Sequence, residues 1–437
     1  MLITFSVANW RLFRDEVTFS MVATAEKQKK ETLADLSLGS KLLPIAAIYG
    51  ANASGKTSLI KALAFVKEFV VNGSLPDSAI NIDTFALDEK FLKKPSSFKV
   101  QICILDQYYE FSFTADRQKI REERLVQILK TTEKELYHRK GKTFEFNNPL
   151  AKDKRLKFIS EGTRDNQLFL TNSVSQNVEL QHPVFKSIYN WFKESLVILM
   201  TESRFHAFQR FIQETDPLSA KVSKLLPLLN TGIVGLEGRD VDIDTLGLPA
   251  PFLQKLKSMG EGVSAGIGNL VDDMLVIKNE KGVLKAKRLM AKHRKVDGSE
   301  VFFNMRDESD GSKRCIHLLP MFIDLVSEGP AKVYVIDEID RSLHSELFIQ
   351  LLEFYLGHCE AHKRSQLIFT THNLLTMDQD LLRRDEMWVT ERDQEGAASL
   401  ISFGEYKEVR NDKDIRKSYQ QGRLGGVPKI QLDSAVV

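Results

Sequence analysis

Cysteine is scarce in this chain: Cys103, Cys315 and Cys359 are the only three in 437 residues, odd in number and far apart. That excludes a disulfide framework and fits reduced thiols packed as small apolar side chains. Net charge is nearly absent too, because 61 Lys and Arg face 59 Asp and Glu and leave +2. No global field draws such a chain to nucleic acid or an anionic membrane, so any polyanion site must be local. No window approaches the roughly 18 uncharged apolar residues of a membrane span. The opening MLITFSVANWRLFRDE has no apolar stretch of signal-peptide form. A cytoplasmic protein without membrane contact is expected. With 43% hydrophobic residues, 12 Pro and 24 Gly, the composition is that of a globular chain, neither disordered nor fibrous. Its length suits one large domain with an insertion, or two domains.

What is present begins with short strands, Leu2 to Val7 and Glu16 to Met21, and an apolar run Leu43 to Tyr49 that ends in glycine. Phe98 to Leu105 and Tyr108 to Ala115, separated by Asp106 and Gln107, read as an antiparallel hairpin, with Gln167 to Leu170 as a third such strand. Residues 183–287 read as mainly helical around a loose stretch, Ser258 to Asn269, without the sustained heptads of a coiled-coil arm. Strand text resumes at Arg288 to His293 and Val301 to Met305, then alternates with helices in the rhythm of a parallel sheet. The predicted fold is α/β. Residues 1–182 and 288–437 form one head domain and 183–287 is a mainly helical insertion.

The chemistry concentrates in four places. Gly50-Ala51-Asn52-Ala53-Ser54-Gly55-Lys56-Thr57 lies between an apolar strand and a helical run beginning at Ser58, which is the context of a phosphate-binding loop. Its glycines turn backbone amides inward, Lys56 reaches the β/γ-phosphates and Thr57 ligates Mg²⁺. Val333 to Ile336 is an apolar strand ending in Asp337 and Glu338; Asp337 is placed to hold Mg²⁺ and Glu338 to orient the attacking water. Leu367 to Phe369 leads to Thr370, Thr371 and His372, a hydroxyl pair and a histidine at a strand end suited to a γ-phosphate. Finally, Glu308-Ser309-Asp310-Gly311-Ser312-Lys313 precedes the apolar run Cys315 to Val326. It offers either a plain helix cap or a second anion site.

In that order these motifs resemble the Walker A, signature, Walker B and switch histidine of ABC-type ATPases. Asn9-Trp10-Arg11-Leu12-Phe13 and the closing Tyr419-Gln420-Gln421-Gly422-Arg423-Leu424-Gly425-Gly426-Val427-Pro428 further resemble the AAA15 group. That group includes the RloA and AbiL types and is similar in its head to Rad50, SMC, RecF and the OLD nucleases. The resemblance implies an ABC-type head, a mixed sheet with antiparallel N-terminal strands, that binds and hydrolyses ATP with Mg²⁺. Glu338 and His372 would promote hydrolysis. Ser309 and Gly311 would serve the ATP bound by the opposite protomer, with Asp340 at the same seam. The signature has Asp310 and Ser312 where the commonest form has glycine and glutamine.

The resemblance also implies a homodimer or higher oligomer working with a separately encoded effector, a nuclease or toxin, in bacterial defence against phage. The alternative is a DNA-repair ATPase of the RecF or Rad50 kind, with nucleic acid as partner. A transporter subunit is disfavoured by the long separation of Walker A from signature. The stretch after His372 is too short for the nuclease domain of OLD proteins. A glutamine that senses Mg²⁺ and γ-phosphate is implied as well; Gln101, Gln107, Gln118, Gln167 and Gln176 compete for the role, and Gln176 is the choice. His358, Cys359 and His362 could bind zinc only with a further ligand that the sequence does not offer. The basic runs Lys27 to Lys30 and Lys285 to Arg294 read more readily as solvated faces than as phosphate contacts.

Overall fold

The computed structural model describes residues 1–178, 181–201, 217–258, 264–267, 275–280, 283–406 and 414–427. The chain divides into two compact units, one of Met1–Thr201, Gly329–Asp340 and Leu352–Val437, the other of Glu202–Glu328 and Arg341–Leu351. These junctions fall at different residues from the sequence division at 183 and 288.

The first unit is built on two sheets. A seven-stranded antiparallel sheet runs in the order Thr143–Phe146, Glu133–Lys140, Ile120–Ile128, Gln107–Ala115, Ser96–Ile104, Leu2–Ala8, Val17–Ser20. Its long strands alternate aromatic or β-branched residues with polar ones, so one face is buried. A six-stranded sheet runs Leu196–Leu199, Val333–Ile336, Gln366–Thr370, Ile45–Gly50, Met387–Arg392, Ala398–Ser402, parallel except for its last strand. Ile45–Gly50, Val333–Ile336 and Gln366–Thr370 are buried at every residue, as expected for parallel strands covered on both faces. Helix Lys56–Asn72 contributes Leu59, Leu63, Val66 and Phe69 to a core shared with Phe98, Phe113, Ile48 and Val335 of the two sheets. The aromatic rings of Trp10, Phe65, Phe98 and Phe113 lie 5.0–5.1 Å apart in sequence. The α/β fold and its antiparallel N-terminal strands are thus as the sequence led us to expect. No described helix is long and apolar enough to cross a membrane.

Two expectations need correction. Gln167 to Leu170 is no strand: Leu168 caps a helix, Phe169–Ser175. The deciding partner is Glu123, fully buried, which accepts the amides of Phe169 and Leu170 at 2.8 and 3.1 Å and the hydroxyl of Tyr137 at 2.8 Å. A carboxylate at a helix N-terminus satisfies amides that helix geometry leaves open. Its charge is opposed by Arg139, 1% exposed and 3.5 Å away.

The second correction concerns 183–287, which is not simply helical. Its start, including Leu196–Leu199, belongs to the first unit. Helices Pro217–Leu225 and Ala250–Ser258 are present. They share the second unit with an antiparallel sheet ordered Ile233–Val241, Val283–Arg294, Leu275–Glu280, Ser264–Ile267, to which Glu300–Asn304 adds by pairing with Val283–Arg294. The central strand, VLKAKRLMAKHR, contains the expected strand Arg288 to His293 but starts earlier, at Val283, where a helix is expected and where good helix formers give local propensity the wrong sign. Burial on both sides overrides it: Leu289 and Ala291 join Ile316, Leu319 and Ile323 in one cluster, while Ala286 joins Leu256 and Ile277 in another. Of the loose stretch Ser258 to Asn269, residues 259–263 and 268–269 lie outside the described residues, as does Pro428 of the closing motif. Gly425 and Gly426 of that motif meet the strand Met387–Arg392 closely: a Cβ on Gly426 would fall 2.3 Å from Val389 Cγ2, and the Tyr419 hydroxyl donates to the Gly426 carbonyl at 2.8 Å.

Met387–Arg392, the strand beside Ile45–Gly50, is anchored at its base by a buried polar knot. Arg383, fully buried, pairs with Asp385 at 2.7 Å and donates to the Gln28 carbonyl, Asp385 accepts from Thr24 at 2.7 and 2.8 Å, and Glu386 accepts the Arg383 amide at 2.8 Å. Glu386 Oε1 has no partner, and burial first, then Asp385, pushes this carboxyl up to about 8. Below the ordinary carboxyl range both folded and unfolded states hold the proton; between the ordinary 4.5 and about 8 only the folded state does. Stability therefore declines as pH rises through that window, by at most about 1.4 kcal/mol per pH unit from this group. Glu386→Gln is expected to flatten that slope, read as the thermal midpoint against pH from 5 to 8; an unchanged slope would assign the pH dependence to other groups.

Candidate nucleotide site

The loop after Ile45–Gly50 is shaped by close approaches that exclude side chains. Gly50 has φ 145 and Gly55 φ 121. A Cβ on Gly50 would lie 2.5 Å from Ser54 Oγ and from the Thr390 carbonyl, and one on Gly55 would lie 3.0 Å from Ala398 Cβ and 3.4 Å from Phe13. The Asn9 to Phe13 motif is the support beneath. Trp10 and Phe13 exchange backbone hydrogen bonds at 2.8 Å, the Trp10 indole donates to the Ser58 carbonyl at 3.1 Å, and Ala398 donates to the Leu12 carbonyl at 2.7 Å. From the other side Thr390 meets Ser54 hydroxyl to hydroxyl at 2.5 Å. Asn52 and Ala53 remain exposed at the loop's tip.

Lys56 is buried, and its ammonium donates to the carbonyls of Gly50 and Ala51 at 2.8 and 2.9 Å. Burial drives its pKa down to about 8 despite the opposing pull of Asp337, Glu338 and Asp340. A desolvated cation set in a ring of backbone dipoles is a fitting seat for phosphate.

Asp337, 2% exposed, ends its strand among hydroxyls. Thr57 donates to both its oxygens at 2.9 and 3.2 Å, Thr370 to Oδ1 at 2.7 Å and Thr201 to Oδ2 at 3.2 Å. Carboxylate and hydroxyl oxygens of this kind suit a hard divalent cation such as Mg²⁺. Glu338 is half-buried and takes a left-handed backbone, φ 49, which costs a residue with a side chain about 1–3 kcal/mol. His372 is exposed, and burial of its ring surroundings, then Lys56, lower its pKa below the ordinary value, against Asp340, Glu338 and Asp337. The imidazole is therefore neutral at neutral pH and offers one donor and one acceptor nitrogen. Lys56, Thr57, Asp337, Glu338, Asp340 and His372 are thus brought into one electrostatic neighbourhood.

Other expectations fare differently. The hydroxyl pair before His372 does not face a ligand together: Thr370 turns inward to Asp337, and Thr371 accepts the Asn373 amide at 2.9 Å. Gln176 closes the Phe169–Ser175 helix and gives its amide to Asn172 at 3.1 Å; the structure does not bring it to Asp337. The strand that flanks Val333–Ile336 is Leu196–Leu199, and the residue that follows it onto Asp337 is Thr201, which sequence reasoning missed. The run Leu196 to Leu199 was the available signal, but no glutamine follows it closely.

Ser309 and Gly311 lie in the second unit. Ser309 caps helix Asp310–Val326, accepting the Ser312 amide at 3.0 Å, and a Cβ on Gly311 would come within 3.0 Å of the Ser342 carbonyl. His358 bonds the Phe354 carbonyl at 2.7 Å, and burial pushes the Cys359 thiol up to about 12. Among the described residues no group of three or more His, Cys, Asp or Glu is arranged to hold a metal ion.

The family described as "AAA domain, putative AbiEii toxin, Type IV TA system" matches residues 45–378. That is more than half of the chain, which therefore belongs to this AAA-domain family and has the fold of a P-loop, ATP-binding ATPase. Solved structures similar to it include the SMC head domain from Thermotoga maritima, 14% identical, covering 92% of this chain and 98% of that one at a TM-score of 0.37. Another is the SMC head bound to the C-terminal winged-helix domain of ScpA, 12% identical, covering 92% and 97% at 0.40. A third is the Smc head with an extended coiled coil bound to the C-terminal domain of ScpA derived from Pyrococcus furiosus, 12% identical, covering 97% and 98% at 0.35. No curated protein matches. Such superpositions are loose, and the fold rests on the chain's own sheet order.

Because burial holds the Lys56 pKa down to about 8 even beside Asp337, Glu338 and Asp340, a phosphate group brought against its ammonium raises that pKa. Nucleotide binding at pH 8 is therefore expected to take up about half a proton, measured by calorimetry in buffers of different ionisation heat. Uptake that does not diminish towards pH 6 would refute this.

Proposed function

We propose that the chain binds MgATP on the Gly50–Thr57 loop and hydrolyses it. The observation that carries this reading is the meeting of Lys56 with the Asp337 cluster at the ends of three successive parallel strands, Ile45–Gly50, Gln366–Thr370 and Val333–Ile336, the crevice where such sheets take ligands. Gly50, Asn52, Ser54, Gly55, Lys56, Thr57 and Ser58 surround the phosphates, with backbone amides and the helix N-terminus facing them. Thr57 and Asp337 hold Mg²⁺, and Thr201 takes the place first given to Gln176. Bound Mg²⁺ supplies charge neutralisation on the β- and γ-phosphates. Glu338 accepts a hydrogen bond from the attacking water and orients it, and neutral His372 faces the γ-phosphate.

In the same reading two heads close on ATP, with Ser309, Gly311 and Asp340 completing the opposite protomer's site, so nucleotide controls a homodimer. Support comes from the exposed Asn52–Ala53 tip and from Ser309 at the start of a 17-residue helix, where amide dipoles favour an anion. The output is passed to a separately encoded effector in phage defence, of the AAA15 kind. The family's description as part of a toxin–antitoxin system supports a two-component arrangement. The rival, a DNA-repair clamp, receives little from the basic strand, because Lys285 pairs with Glu280 at 2.9 Å and Lys292 with Glu300 at 3.2 Å.

Glu338→Gln is expected to lower turnover about a hundredfold or more while retaining ATP and to accumulate a dimer on size-exclusion chromatography with light scattering. Lys56→Ala is expected to lose nucleotide. Wild-type turnover in Glu338→Gln would overturn the catalytic assignment, and a monomer with ATP bound would overturn the composite site.

A further inference from the structure

Resting on that ATPase reading, we propose that Thr370 is the positioning residue that aims Glu338. In an extended strand neighbouring side chains leave on opposite faces, so Asp337 and Glu338 could not serve one site if the strand ran straight through them. Yet both carboxylates act on Lys56 and on His372. The change of direction is made at Glu338, whose φ of 49 ends the strand in a left-handed turn. Nothing in glutamate favours that conformation; it has a Cβ, and only glycine adopts it freely.

Thr370 holds the turn. Its side chain is fully buried. Its hydroxyl donates to Asp337 Oδ1 at 2.7 Å and accepts the Glu338 amide at 2.7 Å. Its carbonyl accepts the next amide, that of Ile339, at 3.2 Å. A single hydroxyl thus spends its proton on one carboxylate and its lone pair on the backbone of the other, fixing the angle between them. A serine can do the same. A valine of the same shape can do neither: Asp337 Oδ1 would keep only the longer bond from Thr57, at 3.2 Å, and the Glu338 amide would lose the hydroxyl it donates to. Thr370 is the last residue of its strand, two residues before His372. A hydroxyl is required here as a joint between two strands; it touches no substrate.

The test compares wild type, Thr370→Val and Thr370→Ser as full chains. Hydrogen exchange of the nucleotide-free proteins should show the Glu338 amide exchanging at least about tenfold faster in Thr370→Val, with the Val335 and Ile336 amides unchanged, and protection restored in Thr370→Ser. ATP turnover should fall about a hundredfold in kcat in Thr370→Val, as expected for a misplaced catalytic group, with KM within about threefold and with Thr370→Ser near wild type. If the valine variant does not fold, Thr370→Cys replaces it, since sulfur is a weak acceptor. Equal Glu338 exchange in all three proteins, or an undiminished kcat in Thr370→Val beside an active wild type, overturns the positioning role alone. No turnover in wild type with Mg²⁺ overturns the ATPase reading and this inference together.

Discussion

A buried carboxylate must be given donors, and Asp337 is the point where the first unit meets that demand. Left unpaired at 2% exposure, its charge would cost several kcal/mol. The structure answers with hydroxyls from three places: Thr57 at the start of the loop helix, Thr370 at the end of the adjoining strand and Thr201 after the strand on the other side. Each donor fixes the element it comes from. The order of the parallel strands, the start of the Lys56–Asn72 helix and the left-handed turn at Glu338 are therefore tied to one another through a single side chain.

A second constraint is room. The loop that seats Lys56 is squeezed between Thr390 on one flank and the Trp10–Phe13 turn with Ala398 on the other, at separations where no Cβ fits on Gly50 or, without adjustment, on Gly55. The antiparallel sheet is thus more than a cover. Its first strand delivers Trp10 under the loop, and its long strands deliver the aromatic rings that press the loop helix into place. A proposed phosphate site made mainly of backbone depends on this support, because backbone dipoles bind well only when they cannot relax away.

How much of this could be read from the chain alone follows from which forces are local. The loop glycines, the apolar strand before them and the paired carboxylates at Asp337–Glu338 are signals carried within a few residues, and the α/β order of strands and helices follows from their periodicity. Thr201 was invisible because its place depends on which strand flanks Val333–Ile336, a long-range choice, and because a hydroxyl stands where a glutamine was sought. Gln167 to Leu170 looked extended until Glu123, distant in sequence, supplied the carboxylate that starts a helix there. Val283–Arg294 is legible only in part: Arg288 to His293 reads as strand, but the lysines, leucine and alanine of Val283 to Lys287 favour a helix locally, and burial of alternate residues on two faces carries the strand through them. Thr370 was read as half of a hydroxyl pair facing outward, since sequence cannot say which of two adjacent threonines turns in.

The pose of Lys56 has a consequence for speed as well as for affinity. With its ammonium already shared by two loop carbonyls, the site is filled by its own residue, and ligand entry becomes an exchange in which one set of bonds is surrendered as another forms. Such an internal competitor keeps the loop from collapsing and keeps its cation dry. It also removes part of the gain on binding, so a phosphate ligand is held less tightly than the number of contacts would suggest.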